Sequence, residues 1–292
     1  ETGLAQVKPS TGEQTPTQFP SDALAYYPLD TVSDGTVTDA SGNGFDGTHE
    51  SGVTSIDGIG STNGAFYDGT TESVIEDYDE LNGLTEIAVS VWIQPTDGSK
   101  SDQTIIGTAL EFELIFDGSG NRTPNERSIW WAIDNGTGDW DVNTPTMPPL
   151  ELNTWHHLLL QQSTASGQVE LWVDGEQYVS DDAIGVIKDP DGPLKIGSRG
   201  GMSFKRYTGG VDEVRIYNRA LSTAEIQSLY DTPVEPDDEP TQAIFGTTVT
   251  TQQQTTTQGQ SIATPTVNTV AKTAAATRGS SVEIGHTVAS LT

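Results

Sequence analysis

The sequence predicts an all-β domain with one short C-terminal helix, flanked by extended, β-type terminal segments. Three observations carry this. Short runs of alternating apolar and β-branched residues recur through residues 21–231, with Gly, Asp and Asn clustered between them. A single segment near residue 225 carries a helix start signal and helical spacing. Finally, the 42 acidic and 13 basic residues, net −29, are unevenly placed: residues 1–20 sum to −1 and 241–292 to +1, so the whole excess lies in 21–240. A composition break that sharp marks domain boundaries.

In chain order, residues 1–20 are rich in Pro, Thr, Gly and Gln and read as an extended arm. Strands are expected at EIAVSVWIQP, QTIIGTALEFELIFD, RSIWWAID, WHHLLLQQS, QVELWVDGEQY, PLKIGS and VDEVRIYN. Within ELWVDGEQYV, Asp174-Gly175 between two alternating runs predicts a two-residue hairpin turn. STAEIQSLY is the helix: Ser222 and Glu225 have capping-box spacing, and Leu221, Ile226 and Leu229 line one side. Residues 232–240 are a Pro-rich acidic linker. The tail, 241–292, is Thr-rich and of low complexity, yet Val282, Ile284, His286 and Val288 alternate with polar residues as a strand with one apolar face. So thin a segment cannot make its own core, and it is expected to pair with a neighbouring copy. The arm and the tail are therefore expected to build a homo-oligomer or filament.

Bulk composition excludes several functions. A charge of −29 repels phosphate backbones and argues against nucleic-acid binding. Six tryptophans and regular apolar runs argue against disorder. Such an acidic chain suits a halophilic setting, where salt screens self-repulsion and carboxylates hold water. With no cysteine there is no disulfide and no thiolate chemistry. No apolar run approaches the ~18 residues of a membrane span. The chain begins at Glu1 rather than methionine, which reads as a processed or trimmed N-terminus.

The segments ALAYYPLD…DASGNGFDGT, LTEIAVSVWIQP, NTWHHLLLQQSTASGQVELWVDGEQ and GGVDEVRIYNRALSTAEIQSLY together resemble the laminin-G-like group of the concanavalin A-like lectin/glucanase superfamily, over about residues 23–231. The resemblance implies a jelly-roll sandwich of two antiparallel sheets.

The stretch DASGNGFDG, residues 39–47, admits three readings. A phosphate cradle is excluded, because no helix pattern follows and no lysine is near. A tight turn is expected, with Gly42, Gly44 and Gly47 permitting positive φ. A cation loop adds a reason for the oxygens, since calcium takes six to eight oxygen ligands. The resemblance implies a structural calcium held by Asp39, Asn43, the carbonyl of Gly44, and Asp212, with Asp34 and Asp46 close by; the alternative is a calcium-free turn whose Asp and Asn cap their own amides.

Glucanases of the superfamily use paired carboxylates on one strand. Glu111 with Glu113, and Glu170 with Asp174 and Glu176, are the nearest candidates, but Glu111 and Glu113 lack the third acidic residue of that motif and their neighbours do not match it. His156 and His157 follow Trp155 on an expected strand, one turned inward to bond a backbone group and the other outward; His49 and His286 are isolated. Catalysis is not expected. Trp130 and Trp131 are adjacent on a strand, so one enters the core and the other faces the concave sheet. Trp140, in a Gly/Asp/Asn loop with Asp139 and Asp141, is the candidate for stacking on a sugar, against the alternative that it folds over the sandwich edge. Asn121 and Asn135 head glycosylation sequons in the same loops. These readings point to an extracellular, cell-surface or virion-surface protein: a recognition or adhesion domain for glycan or a surface protein, or a structural subunit of a filament or virion appendage.

Overall fold

The computed structural model describes residues 20–75, 81, 83–108, 112–121, 125–134, 140–143, 146–163, 165–182, 192–199 and 205–233. The N-terminal arm, the tail 241–292 and Asn135 and Asp139 lie outside the described residues.

Two antiparallel sheets form the domain. The first comprises β1 (Ala25–Tyr27), β4 (Thr54–Asp57), β5 (Asn63–Asp68), β7 (Glu86–Pro95), β12 (His156–Ser163), β13 (Gln168–Val173), β14 (Glu176–Asp182) and β16 (Thr208–Tyr217). Its order is β14-β13-β12-β7-β16-β5-β4, with β1 also paired to β16. The second comprises β2 (Thr36–Val37), β3 (Gly47–His49), β6 (Ser73–Ile75), β8 (Gln103–Gly107), β9 (Phe112–Asp117), β10 (Ser128–Asp134), β11 (Trp140–Asn143) and β15 (Leu194–Ile196). Its order is β11-β10-β9-β8-β15-β6-β3-β2. This arrangement agrees with the expected jelly-roll sandwich.

Alternation in the sequence becomes two faces per sheet. Along β12, Leu158 and Leu160 enter the core between the sheets, while Leu159 packs on the other side with Ala88, Trp172 and Tyr217. The adjacent tryptophans divide as expected: Trp131 joins the main core, and Trp130 joins Ile115 and Ala132 in a separate cluster on the outer face of the second sheet.

The hairpin of β13 and β14 turns through Asp174 (φ 49°) and Gly175 (φ 78°), the two positive values that a type I′ turn requires. QTIIGTALEFELIFD, read as one run, is broken: β8 ends at Gly107 and β9 starts at Phe112. Trp140 was expected in a loop, but its backbone opens β11 and pairs with Asp134 of β10. Gly47 departs from its expected role too. It has no positive φ; a Cβ there would stand 2.5 Å from the Val74 carbonyl oxygen, so close packing of β3 on β6 demands glycine. Gly42 (φ 85°) and Gly44 (φ 88°) do use the left-handed region.

The α-helix α1 (Thr223–Asp231) lies on the outer face of the first sheet, where Leu221, Ile226 and Leu229 cover Leu159, Trp172 and Tyr217. Ser222 and Glu225 form the expected capping box. Gln161 fixes the chain's approach: its Oε1 accepts from the Leu221 amide (2.8 Å) and its Nε2 donates to Glu170 (2.8 Å). We expect Leu229→Ala to cost about 2–4 kcal/mol by opening this buried contact. Ser222→Ala, which removes only the cap, should cost about 1 kcal/mol. Urea unfolding of both variants checks the ranking.

Candidate functional site

The loop at Asp39 is organised by its own carboxylate. Oδ1 accepts from the amides of Tyr26 (3.0 Å) and Ser41 (2.9 Å); Oδ2 accepts from the Ser41 hydroxyl (2.9 Å) and the amides of Gly44 (3.1 Å) and Phe45 (3.0 Å). Asn43 turns its Nδ2 towards the Leu24 carbonyl (2.9 Å), Asp46 accepts from the Asp39 amide (2.8 Å), and Asp34 accepts from Thr36 (2.9 Å). Burial pushes the Asp39 carboxyl up, but the Tyr26 amide, the Ser41 hydroxyl and the following amides outweigh it and hold the group below the usual carboxylate range.

Asp212 is occupied elsewhere. It sits opposite Trp92 on β16, just before the strand bulges, and accepts from the amides of Ile59 (2.8 Å) and Glu213 (2.9 Å). Burial pushes its carboxyl up to about 8, and the charges of Glu213 and Asp30 push the same way. Beyond the bulge, Glu213 accepts from the Tyr26 hydroxyl (2.9 Å) and pairs with Arg215, whose guanidinium lies 4.0 Å from the centre of the Tyr26 ring. Among the described residues no group of three or more His, Cys, Asp or Glu side chains is disposed to hold a metal ion. Of the set implied for calcium, Asp39 and Asp212 each accept from backbone amides, and Asn43 donates to the Leu24 carbonyl.

The outer face of the second sheet has a different character. Glu113 of β9 is fully buried, pairs with Arg199, and has the Lys205 ammonium 3.6 Å away. The same ammonium lies 5.5 Å from the centre of the Trp130 ring. Next to this group, Lys195 pairs with Glu72, and Arg206 with Glu72 (3.2 Å) and Glu50 (2.8 Å). Four of the protein's 13 basic residues thus fall within 195–206 and meet three glutamates distant in sequence. Strand pairing places Trp140 and Asp141 beside β10, the strand that carries Trp130. Asn121 is exposed, in the turn after β9.

Sequence reading missed Arg199 and Lys205. No local pattern signals them, because they lie on the link between β15 and β16 and only the fold brings them to Glu113. Nor does Glu113 stand as one of a free carboxylate pair, since two cations hold it; Glu111 lies outside the described residues.

His156 and His157 bond to neighbouring strands and turns. Nδ1 of His156 meets Asp174 (2.8 Å) and Nε2 meets the Glu151 backbone (3.2 Å), fastening the hairpin turn. Burial opposes its charge, yet Asp174 prevails and the imidazole's pKa is raised. His157 is wholly buried on the outer face, bonded to Ser90 (2.8 Å), and burial pushes it down to about 3.

Two predictions follow the signs of these shifts. Asp39→Ala should cost roughly 2–3 kcal/mol, because several amides lose their acceptor. The stabilisation from the Asp39 charge is present above its unfolded pKa and is lost as pH falls through the lower folded value. Asp212 has the opposite sign: its contribution is full below the unfolded value and is lost as pH rises towards about 8. Thermal melts from pH 5 to 9 should therefore show a falling Tm that Asp212→Asn flattens.

Comparison with known proteins agrees with this architecture. The profile of the concanavalin A-like lectin/glucanases superfamily, in its laminin-G form, matches residues 67–227. No curated protein matches the sequence. Among solved structures, domain 4 of AbnA, a GH43 extracellular arabinanase from Geobacillus stearothermophilus determined with arabinotriose, aligns at TM-score 0.57 and 20% identity, covering 72% of this chain and 98% of that one. The binding domain of Paraclostridial Mosquitocidal Protein 1 aligns at TM-score 0.58 and 14% identity, covering 73% and 52%. A sialidase of Trypanosoma rangeli aligns at TM-score 0.52 and 16% identity, covering 72% and 32%. The chain spans about half the length of the toxin domain and a third of the sialidase, and at these identities the likeness is one of fold. With more than half of its length matched by the profile, the chain belongs to the laminin-G-like family of the concanavalin A-like lectin/glucanases superfamily.

Proposed function

We propose that the domain is a non-catalytic, lectin-like recognition module that binds glycan at the outer face of its second sheet. The observation that carries this reading is the buried cluster of Glu113, Arg199, Lys205 and Trp130 that stiffens that sheet beside its β11 edge, away from the helix-covered sheet. A few charged and aromatic groups meeting on a rigid scaffold are what a site for a polar ligand needs. Glu113 serves this reading as a fixed hydrogen-bonding and charge-placing group. The solved structure of the arabinanase domain with arabinotriose supports it as an analogy of fold only.

Trp140, Asp139 and Asp141 would extend the site at the sheet's β11 edge, with sugar stacking on Trp140. A surface location fits sequons at Asn121 and Asn135. A second reading, a structural subunit of a surface filament or virion appendage, is favoured by the charge break that sets residues 1–20 and 241–292 apart from the acidic domain. In that reading the terminal segments join copies of the chain, and recognition is carried on the assembly.

Glycan-array binding of the full chain, in molar and in low salt, tests the proposal. Saturable binding to a subset of glycans, weakened about tenfold or more by Trp140→Ala, is expected. No binding to any glycan, together with particles seen by light scattering for the full chain but not for residues 21–240, would replace it with the structural reading.

A further inference from the structure

The outer face of the first sheet is only partly covered by α1. The helix packs on Ala88, Leu159, Trp172 and Tyr217, and Tyr230 near its C-terminus stacks on Trp92 with ring centres 5.9 Å apart. Farther along the same face, towards β4 and β5, lies Trp155. Its indole Nε1 donates to the Asp57 carbonyl on β4 (3.3 Å), and its ring rests over Gly210 of β16. A Cβ on Gly210 would come within 2.8 Å of that ring, so the glycine is what lets the indole lie against the sheet.

Trp155 is thus fixed at both ends yet half-exposed. Around it are Phe66, the cross-strand neighbour of Gly210 and also half-exposed, and Gln94, the neighbour on the other side. Half-buried Thr208 lies beyond, its hydroxyl accepting from the Lys100 ammonium (3.3 Å). A pinned aromatic ring beside an amide and a hydroxyl matches one face of a sugar: the C–H side packs on the indole while hydroxyls exchange hydrogen bonds with the amide. The net charge of −29 disfavours an anionic sugar.

We propose that Trp155 and its neighbours form a stacking platform for a neutral sugar ring, on the face opposite to the second-sheet site and independent of it. A platform on each side would let one domain hold two chains of a polysaccharide, or two stretches of one chain.

The test uses the full chain with three neutral probes, arabinotriose, maltotriose and cellotriose, followed by intrinsic tryptophan fluorescence and by saturation-transfer NMR. At least one probe is expected to bind saturably. Trp155→Ala should weaken binding about tenfold or more, and Trp155→Phe should retain most of it. Because Trp155→Ala also removes packing, Gln94→Ala and Phe66→Ala, at part-exposed positions, serve as a second measure. Each should weaken binding severalfold while leaving Tm within a few degrees of the parent. The proposal is overturned if none of the probes binds, or if binding survives all three alanine variants. Loss of binding in Trp130→Leu alone would also overturn it, and would assign the sugar to the second sheet.

Discussion

A two-sheet sandwich buries one face of each sheet in a shared core, and the treatment of the two remaining faces decides what the domain can do. Here the shared core is apolar and continuous, from Ala25 and Tyr27 through Ile93, Phe116 and Trp131 to Val214 and Ile216. The outer faces are handled in contrasting ways. One is sealed for part of its length by α1, an apolar lid attached through Gln161 and the Ser222 cap. The other carries buried charge, with Glu113 held between Arg199 and Lys205. Burying such a group is costly unless it is paired, so the carboxylate and the two cations have to be treated as a unit. In a chain of net −29, placing four cations in one twelve-residue stretch concentrates scarce positive charge where three glutamates would otherwise repel one another.

β16 links the two halves of this design. It pairs with β1, β5 and β7 at once, and one strand supplies inner-face Val211, Val214 and Ile216 as well as outer-face Tyr217 beneath the helix. Its bulge between Asp212 and Arg215 is also where Glu213 takes a positive φ of 52°. That strain sits beside a buried acidic pair whose charge is disfavoured by burial, so the region balances strand pairing against electrostatic cost. Similar economy appears at the Asp39 loop, where one carboxylate organises five donors.

Legibility in the sequence followed strand length and burial. β7 and β12 are eight to ten residues long with marked apolar patterning, and the sequence located both, as it did the Asp174-Gly175 turn and the helix with its cap. The segments β2, β3 and β4 are two to four residues long and rich in Gly, Thr, Ser and Asp, so nothing in their composition separates them from loops. Their strand character comes from partners already in place. Trp140 was misplaced for the same reason, since a loop-like composition of Gly, Asp and Asn surrounds a short edge strand whose pairing with β10 is a tertiary fact. The site divides likewise. Trp130 was legible from the alternation of two adjacent tryptophans, whereas Arg199, Lys205 and Trp155 gain their positions from contacts across many residues of chain.

Hydrogen–deuterium exchange of the full chain, with and without a saturating glycan ligand, tests the central claim most directly. The account predicts slowed exchange in β9, in β10 and in residues 197–207, with α1 unchanged. Protection confined to α1 and β13, or to the terminal segments with no change across the second sheet, would contradict it.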